Sequence, residues 1–126
     1  MTYKVLNAID YGIPQVRNRV FVVGFKDHNI NYNYPDPKPL NLTVQDLLEE
    51  KADSKYFLNQ GFLDNYVFVQ WGTWNRHPKV DKPIASTLTT KMGTLRATQD
   101  NYQTQDGRIR KLTPREGLRL MGFGDD

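Results

Sequence analysis

The sequence predicts an α+β chain assembled from short strands and short helices. Three observations carry this reading. Val20-Phe21-Val22-Val23 is an apolar, β-rich run closed by Gly24. Residues 66–74 are aromatic and β-branched, which favours a strand. Thr113-Pro114-Arg115-Glu116 combines a cap residue, a proline at the first helical position and a glutamate able to reach back to the cap.

Taken in order, residues 5–25 form the first ordered block. Tyr11-Gly12-Ile13-Pro14 supplies a turn, and Val20-Phe21-Val22-Val23 is expected to be a buried strand. Residues 27–40 carry Pro35, Pro37 and Pro39 among several Asn and Asp, and predict an extended connector. Residues 41–50 predict a short helix, capped by Thr43 with Asp46 three residues on; Val44, Leu47 and Leu48 share one face. Residues 56–62 are ambiguous. Residues 75–83 form a polar loop, and residues 85–91 predict a threonine-rich strand. Residues 93–107 are polar and loop-like, with room for one short strand. The helix beginning at Thr113 stops at Gly122, and Leu118 and Met121 give it an apolar edge.

The 126 residues suffice for one ordinary domain, 25% charged and 38% hydrophobic. No run is long enough to span a bilayer, so no membrane partner is expected. No secretory signal opens the chain, and cytoplasmic is the default localisation. The lack of cysteine excludes disulfides, thiolate zinc sites and a cysteine nucleophile within these residues. The net charge of +3 is unevenly placed. Residues 1–70 hold seven Lys/Arg against eight Asp/Glu, and residues 71–126 hold ten against six. A basic second half fits a polyanion such as DNA, or simply a solvated face.

Three constellations could carry chemistry. On a strand, Gln15, Arg17 and Arg19 fall on one face. Two adjacent guanidiniums repel unless an anion or polar acceptor lies between them. The face therefore either binds a base carbonyl, carboxylate or phosphate, or is solvated or paired to carboxylates elsewhere. Asp106-Gly107-Arg108-Ile109-Arg110-Lys111 places three cations before a helix start, either for a phosphate or as a solvated loop. Ser86-Thr87-Leu88-Thr89-Thr90-Lys91-Met92-Gly93 is rich in hydroxyls that could follow a DNA backbone or belong to an ordinary strand. His28 and His77 lack partners at ligand spacing, so no metal site is predicted. No Gly-rich nucleotide loop and no Ser/His/Asp arrangement is present.

Two of these segments resemble a known family. The stretch from Asn7 through Asp10-Tyr11-Gly12-Ile13-Pro14-Gln15-Val16-Arg17-Asn18-Arg19 to Gly24 resembles motif VIII of the DNA (cytosine-5) methyltransferases. Arg110-Lys111-Leu112-Thr113-Pro114-Arg115-Glu116, continuing through Arg119-Leu120-Met121-Gly122-Phe123, resembles their motif IX. Thr87-Leu88 is similar to the threonine-leucine pair late in the target-recognition region that the family places between these motifs. Leu42-Thr43-Val44-Gln45-Asp46 looks like its connector after motif VIII. The two long motifs cover about a quarter of the chain.

The resemblance implies an enzyme of DNA methylation, of the kind found in restriction–modification systems. In it the target cytosine swings out of duplex DNA and receives a methyl group from S-adenosylmethionine. Arg19 is then expected to donate to the cytosine O2, with Arg17 and Gln15 supporting the pocket. Arg76, Lys79, Lys91, Arg96, Gln99 and Asn101 become candidate DNA contacts, each weighed against a solvated side chain. Thr87, Thr90, Arg108 and Arg110 join them through the two other constellations.

The implied layout is a β-hairpin of the large catalytic domain (residues 1–26), a connector and small mixed β-rich recognition domain with short helices (27–107), and the motif IX segment and helix (108–126). The family's cofactor, Pro-Cys and Glu-Asn-Val motifs would precede residue 1, and its Gly-Asn-Ser motif would follow Asp126. Gly124 also stands where the family usually has proline. The expectation is a fragment, cut from a longer enzyme or part of a split one. Alone it would be inactive and bind no cofactor. Its expected partners are double-stranded DNA, the N-terminal catalytic portion of the same enzyme, and a second copy through the exposed hairpin. The other readings are a non-catalytic, sequence-reading DNA-binding module and an inactive structural partner of another methyltransferase.

Overall fold

β1 (Thr2–Asn7) pairs antiparallel with β2 (Asn18–Val23), from Thr2 opposite Val23 to Asn7 opposite Asn18. The computed structural model describes residues 1–68, 80–92 and 100–126. The link between the strands starts with a 3-10 turn, Ala8–Asp10. It reverses at Gly12, whose φ of +83° an L side chain resists. The Asn7 carboxamide closes the loop by accepting from the Arg17 amide at 3.0 Å.

The apolar run in β2 was expected to be buried, and it is not. Cross-strand partners share a face, so Tyr3 and Val22 lie beside Val5 and Val20 on one side of the hairpin. Tyr3 is 75% exposed and Val20 62%. Nothing in the described chain packs there, because hydrophobic pattern specifies a strand but not what covers it.

Residues 24–43 form no helix or strand, as the prolines predict. The Tyr34 hydroxyl lies 2.9 Å from the Phe21 carbonyl, and the Lys38 amide donates to Asp10 at 2.7 Å. The helix expected over residues 41–50 shrinks to one 3-10 turn, Val44–Leu47. Its start is as predicted: the Asp46 carboxylate accepts from the Thr43 amide (2.7 Å) and hydroxyl (2.9 Å). Extended backbone at Leu48 then ends it, delivering Glu49 to hydrogen bonds elsewhere.

The strand expected from residue 66 is instead helical. A 3-10 turn, Ser54–Tyr56, is followed by α1 (Gln60–Phe62), which runs into a π-turn, Leu63–Val67. Leu63 and Val67, one turn apart, both bury against Ile109. That helical spacing outweighs the β propensity of the aromatics. Residues 69–74, the remainder of that expected strand, lie outside the described residues. Residues 85–91 also fail to form a strand. Ala85 makes one bridge to Gln15, with its amide donating to the Pro14 carbonyl and its carbonyl accepting from Val16, both at 2.9 Å. The chain then turns, with Met92 donating to the Thr89 carbonyl.

β3 (Tyr102–Gln103) and β4 (Ile109–Arg110) form a small antiparallel pair. α2 (Pro114–Arg119) follows with the predicted capping box: the Thr113 hydroxyl accepts from the Glu116 amide at 3.2 Å, and the Glu116 carboxylate accepts from the Thr113 amide at 2.7 Å. Gly122, at φ +90°, closes the end. The core lies between these pieces: Val44, Ala85, Tyr102, Leu112 and Leu120 are buried together. The expected apolar edge of α2 points away from it, since Leu118 and Met121 are both about half exposed. Among the described residues no helix is long and apolar enough to cross a membrane.

Under α2 sits an ion pair with almost no solvent contact. The Arg110 guanidinium grips Glu116 with two hydrogen bonds, at 2.8 and 2.5 Å, and both side chains are at most 1% exposed. The carboxylate also accepts from the Glu49 amide at 2.7 Å. Burial alone would raise the Glu116 pKa, but Arg110 and the amides of Thr113 and Glu49 together hold it below its ordinary value.

Removing one partner of such a pair strands a buried charge. Arg110→Ala should therefore lose about 3–5 kcal/mol of stability, read by urea unfolding. The Glu116 contribution is present above the unfolded carboxyl value near 4.5 and disappears as pH falls through the lower folded value. Thermal midpoints should fall over that acid range in the parent, and less steeply in Glu116→Gln. Parallel curves would overturn the assignment.

Candidate functional site

Gln15 joins three distant segments. Its side chain is 1% exposed; Nε2 donates to the Leu120 carbonyl at 2.6 Å, and Oε1 accepts from the Leu88 amide at 3.1 Å. Arg17 continues the connection, with Nη1 donating to the Leu88 carbonyl at 3.0 Å. The Thr87 hydroxyl donates to the Val16 carbonyl at 2.5 Å. The loop between β1 and β2, the threonine-rich segment and the end of α2 thereby form one unit.

An open groove of about 760 Å³ lies on that unit. Arg17 and Arg19 form one side, Leu88, Thr89, Thr90 and Met92 a second, and Pro114, Gly117, Leu118 and Met121 of the α2 region a third. Among the described residues no carboxylate lines it. Among the described residues neither Arg17 nor Arg19 has an ion pair; Arg19 Nη1 donates only to the Asn18 carbonyl, at 2.7 Å. The result is an apolar trough ending in two positive charges. It suits a flat, weakly polar group with a carbonyl or anionic acceptor at one end.

Two of the three residues expected on one strand face do meet in this groove. Gln15 does not: its side chain is buried on the Leu120 carbonyl and the Leu88 amide. Burial also removes two expected DNA contacts. Arg110 is spent on Glu116, and Asn101 is 3% exposed beside the core. Arg108 is exposed, but it pairs with Asp106 at 2.7 Å and lies 4.1 Å from the Phe57 ring centre. The Thr104 hydroxyl and then Arg108 hold the Asp106 carboxyl down at about 2, so the pair stays ionised. Thr87 is exposed, with its hydroxyl turned to backbone. Thr90 and Lys91 are exposed on the turn beside the groove. Arg76, Lys79, Arg96 and Gln99 lie outside the described residues.

Sequence reasoning passed over the supports of the threonine segment. Asp100 accepts from the Ser86 amide at 2.7 Å and pairs with Lys82 at 3.5 Å, while Lys82 donates to the Ser86 hydroxyl at 2.6 Å. Glu49 accepts from the Thr113 hydroxyl at 2.5 Å. Asp100 and Glu49 are too far in sequence from Ser86 and Thr113 for any spacing to signal them. The described residues hold no cluster of three or more metal-binding side chains.

Comparison with known proteins gives a consistent picture. The family model for C-5 cytosine-specific DNA methylases matches residues 1–126. The chain is 36% identical to the type II methyltransferase M.Bsp6I of Bacillus sp. (strain RFL6) over 141 residues, covering 98% of this chain and 44% of that protein. It is 34% identical to M.HhaI of Haemophilus parahaemolyticus, covering 97% of this chain and 42% of the relative. The chain thus spans less than half the length of these curated relatives. Among solved structures, the S. pombe Dnmt2 methyltransferase shares the fold at a TM-score of 0.62 and 18% identity, covering 98% of this chain and 46% of that one.

The Gln15 contacts make a direct prediction. Gln15→Leu keeps the volume but leaves the Leu88 amide and Leu120 carbonyl unpaired, and should cost on the order of 3 kcal/mol in urea unfolding. A variant as stable as the parent would show that the three segments are held together by other means.

Proposed function

This chain belongs to the C-5 cytosine-specific DNA methylase family, and from that premise we propose that it is the part of a cytosine-5 methyltransferase that recognises duplex DNA and holds the flipped cytosine. One observation carries the proposal: Arg17 and Arg19, without a carboxylate partner among the described residues, line a largely apolar groove together with the threonine turn and α2.

The roles follow from that placement. Arg19 reaches the groove with most of its guanidinium uncommitted. It donates to the O2 of the extruded base, drawing electron density from the ring and easing attack on it. Arg17, tied to the Leu88 carbonyl, supports the same acceptor and fixes the distance between β2 and the threonine turn. Gln15 positions both. Leu88, Met92 and Leu118 offer the base apolar surface in exchange for the stacking it loses on leaving the duplex. Thr90 and Lys91, with Arg76, Lys79, Arg96, Gln99 and Arg108, are the proposed DNA-facing side chains.

Members of the family use S-adenosylmethionine as methyl donor. The groove does not fit it: a cationic sulfonium is repelled by Arg17 and Arg19, and no carboxylate there offsets them. Cofactor and nucleophile therefore come from other parts of the enzyme, and this chain alone transfers no methyl group. A stand-alone DNA reader has no evident use for two unpaired arginines at the end of an apolar trough, so the enzymatic reading is preferred.

Transfer of labelled methyl groups from S-adenosylmethionine to mixed-sequence duplex DNA tests this. The chain alone should show none. Incorporation should appear when the N-terminal catalytic and closing segments of a parent enzyme are supplied in trans. Arg19→Ala in the complemented enzyme should lower the rate by roughly 100-fold while duplex affinity changes little. Incorporation by the chain alone, or an equal loss of affinity and rate, would overturn the proposal.

A further inference from the structure

Gly117 sits where α2 faces the threonine turn. A Cβ built on it would lie 2.6 Å from Met92 Cε and 2.8 Å from Met92 Sδ, so the missing side chain is what admits the methionine. Met92 also packs against the main core cluster, and its amide closes the turn by donating to the Thr89 carbonyl at 3.0 Å. The same segment is fastened at its other end by Gln15 and Arg17 on Leu88. Its exposed residues, Thr89, Thr90 and Lys91, lie between these two anchors.

We infer that Gly117 is a positioning residue: its bare Cα forms a socket for Met92 that locks the Thr89–Met92 turn against α2 at the edge of the groove. Its placement of Thr90 and Lys91 toward DNA rests on the function proposed above; the socket itself does not. The atoms in the way belong to the far end of a flexible side chain. Alanine at 117 therefore displaces Met92 without disturbing backbone, and it favours the helix more than glycine does. Stability and positioning should then separate, which a residue of merely structural importance would not allow.

The test compares the parent chain with Gly117→Ala, Met92→Ala and the double variant. Three readouts are used: thermal midpoint, amide exchange at Leu88–Met92, and affinity for a fluorescein-labelled mixed-sequence duplex at low salt. Gly117→Ala should melt at or above the parent, yet exchange the Met92 amide at least 10-fold faster and bind duplex several-fold more weakly. Met92→Ala should show the same two losses with a lower midpoint. Adding Gly117→Ala to it should accelerate exchange no further. Unchanged Met92 exchange in Gly117→Ala, or additive effects in the double variant, would overturn the socket. A parent chain that binds no duplex would sink the DNA reading, leaving exchange to decide the socket independently.

Discussion

The Arg110–Glu116 pair is the constraint on which the rest of the structure depends. One carboxylate accepts from two guanidinium nitrogens and from the amides of Thr113 and Glu49. It completes the cap of α2, holds β4 beneath that helix and draws the segment after the Val44–Leu47 turn into the same point. A buried ion pair adds little net stability relative to a well-packed apolar substitute. What it supplies here is geometry. With four donors fixed on one carboxylate, α2 is held in one rotation about its axis, with Glu116 and Leu120 buried while Gly117, Leu118 and Met121 line the groove.

The positive charges are sorted by this arrangement. Arg110 is consumed inside, Arg119 pairs with Asp125, and Arg108 pairs with Asp106. Among the described residues, Arg17 and Arg19 make side-chain hydrogen bonds only to backbone carbonyls. A net-charge count treats these five arginines alike. The fold distinguishes them by whether a carboxylate lies within reach, and the two left over share one groove. Tyr102 shows the related cost of a dry interior: its hydroxyl is buried without a partner among the described residues, and burial, then Asp100, Asp81 and Glu116, raise its pKa. It stays neutral beside those carboxylates.

What could be read from sequence was local. The cap of α2 and its stop at Gly122 need only neighbouring residues, so Thr113, Pro114 and Glu116 announced them. The proline-rich connector is equally self-contained. Readings failed where distant partners overrode propensity. Leu63 and Val67 turned an aromatic segment helical by burying against Ile109, and Glu49 pulled the chain out of its helix toward Arg110. Arg17, one residue before β2, and Arg19, within it, both line the groove, as alternation had suggested. Gln15 departs from that alternation because its side chain is buried on the Leu120 carbonyl and the Leu88 amide. Arg110 looked like a surface cation for the same reason: nothing in a basic run reveals that a glutamate six residues later will enclose one of its members.

The groove's mixed character bears on what it can hold. Two guanidiniums alone would favour a phosphate, which carries more charge than any base and binds arginine strongly. A phosphate in this trough, however, would press hydrated oxygens against Leu88, Met92, Leu118 and Met121 and lose water without replacement hydrogen bonds. A nucleobase has the opposite profile. Its faces are apolar enough to lie on those side chains, and in cytosine the two acceptors, O2 and N3, are neighbours that a pair of arginines can meet together. On the function proposed above, the apolar walls would act as the selective element and the charges as the orienting one. On the reading proposed here, a base seated this way presents the same edge every time it leaves the duplex, because only one orientation satisfies Arg19 without burying a polar edge against the helix.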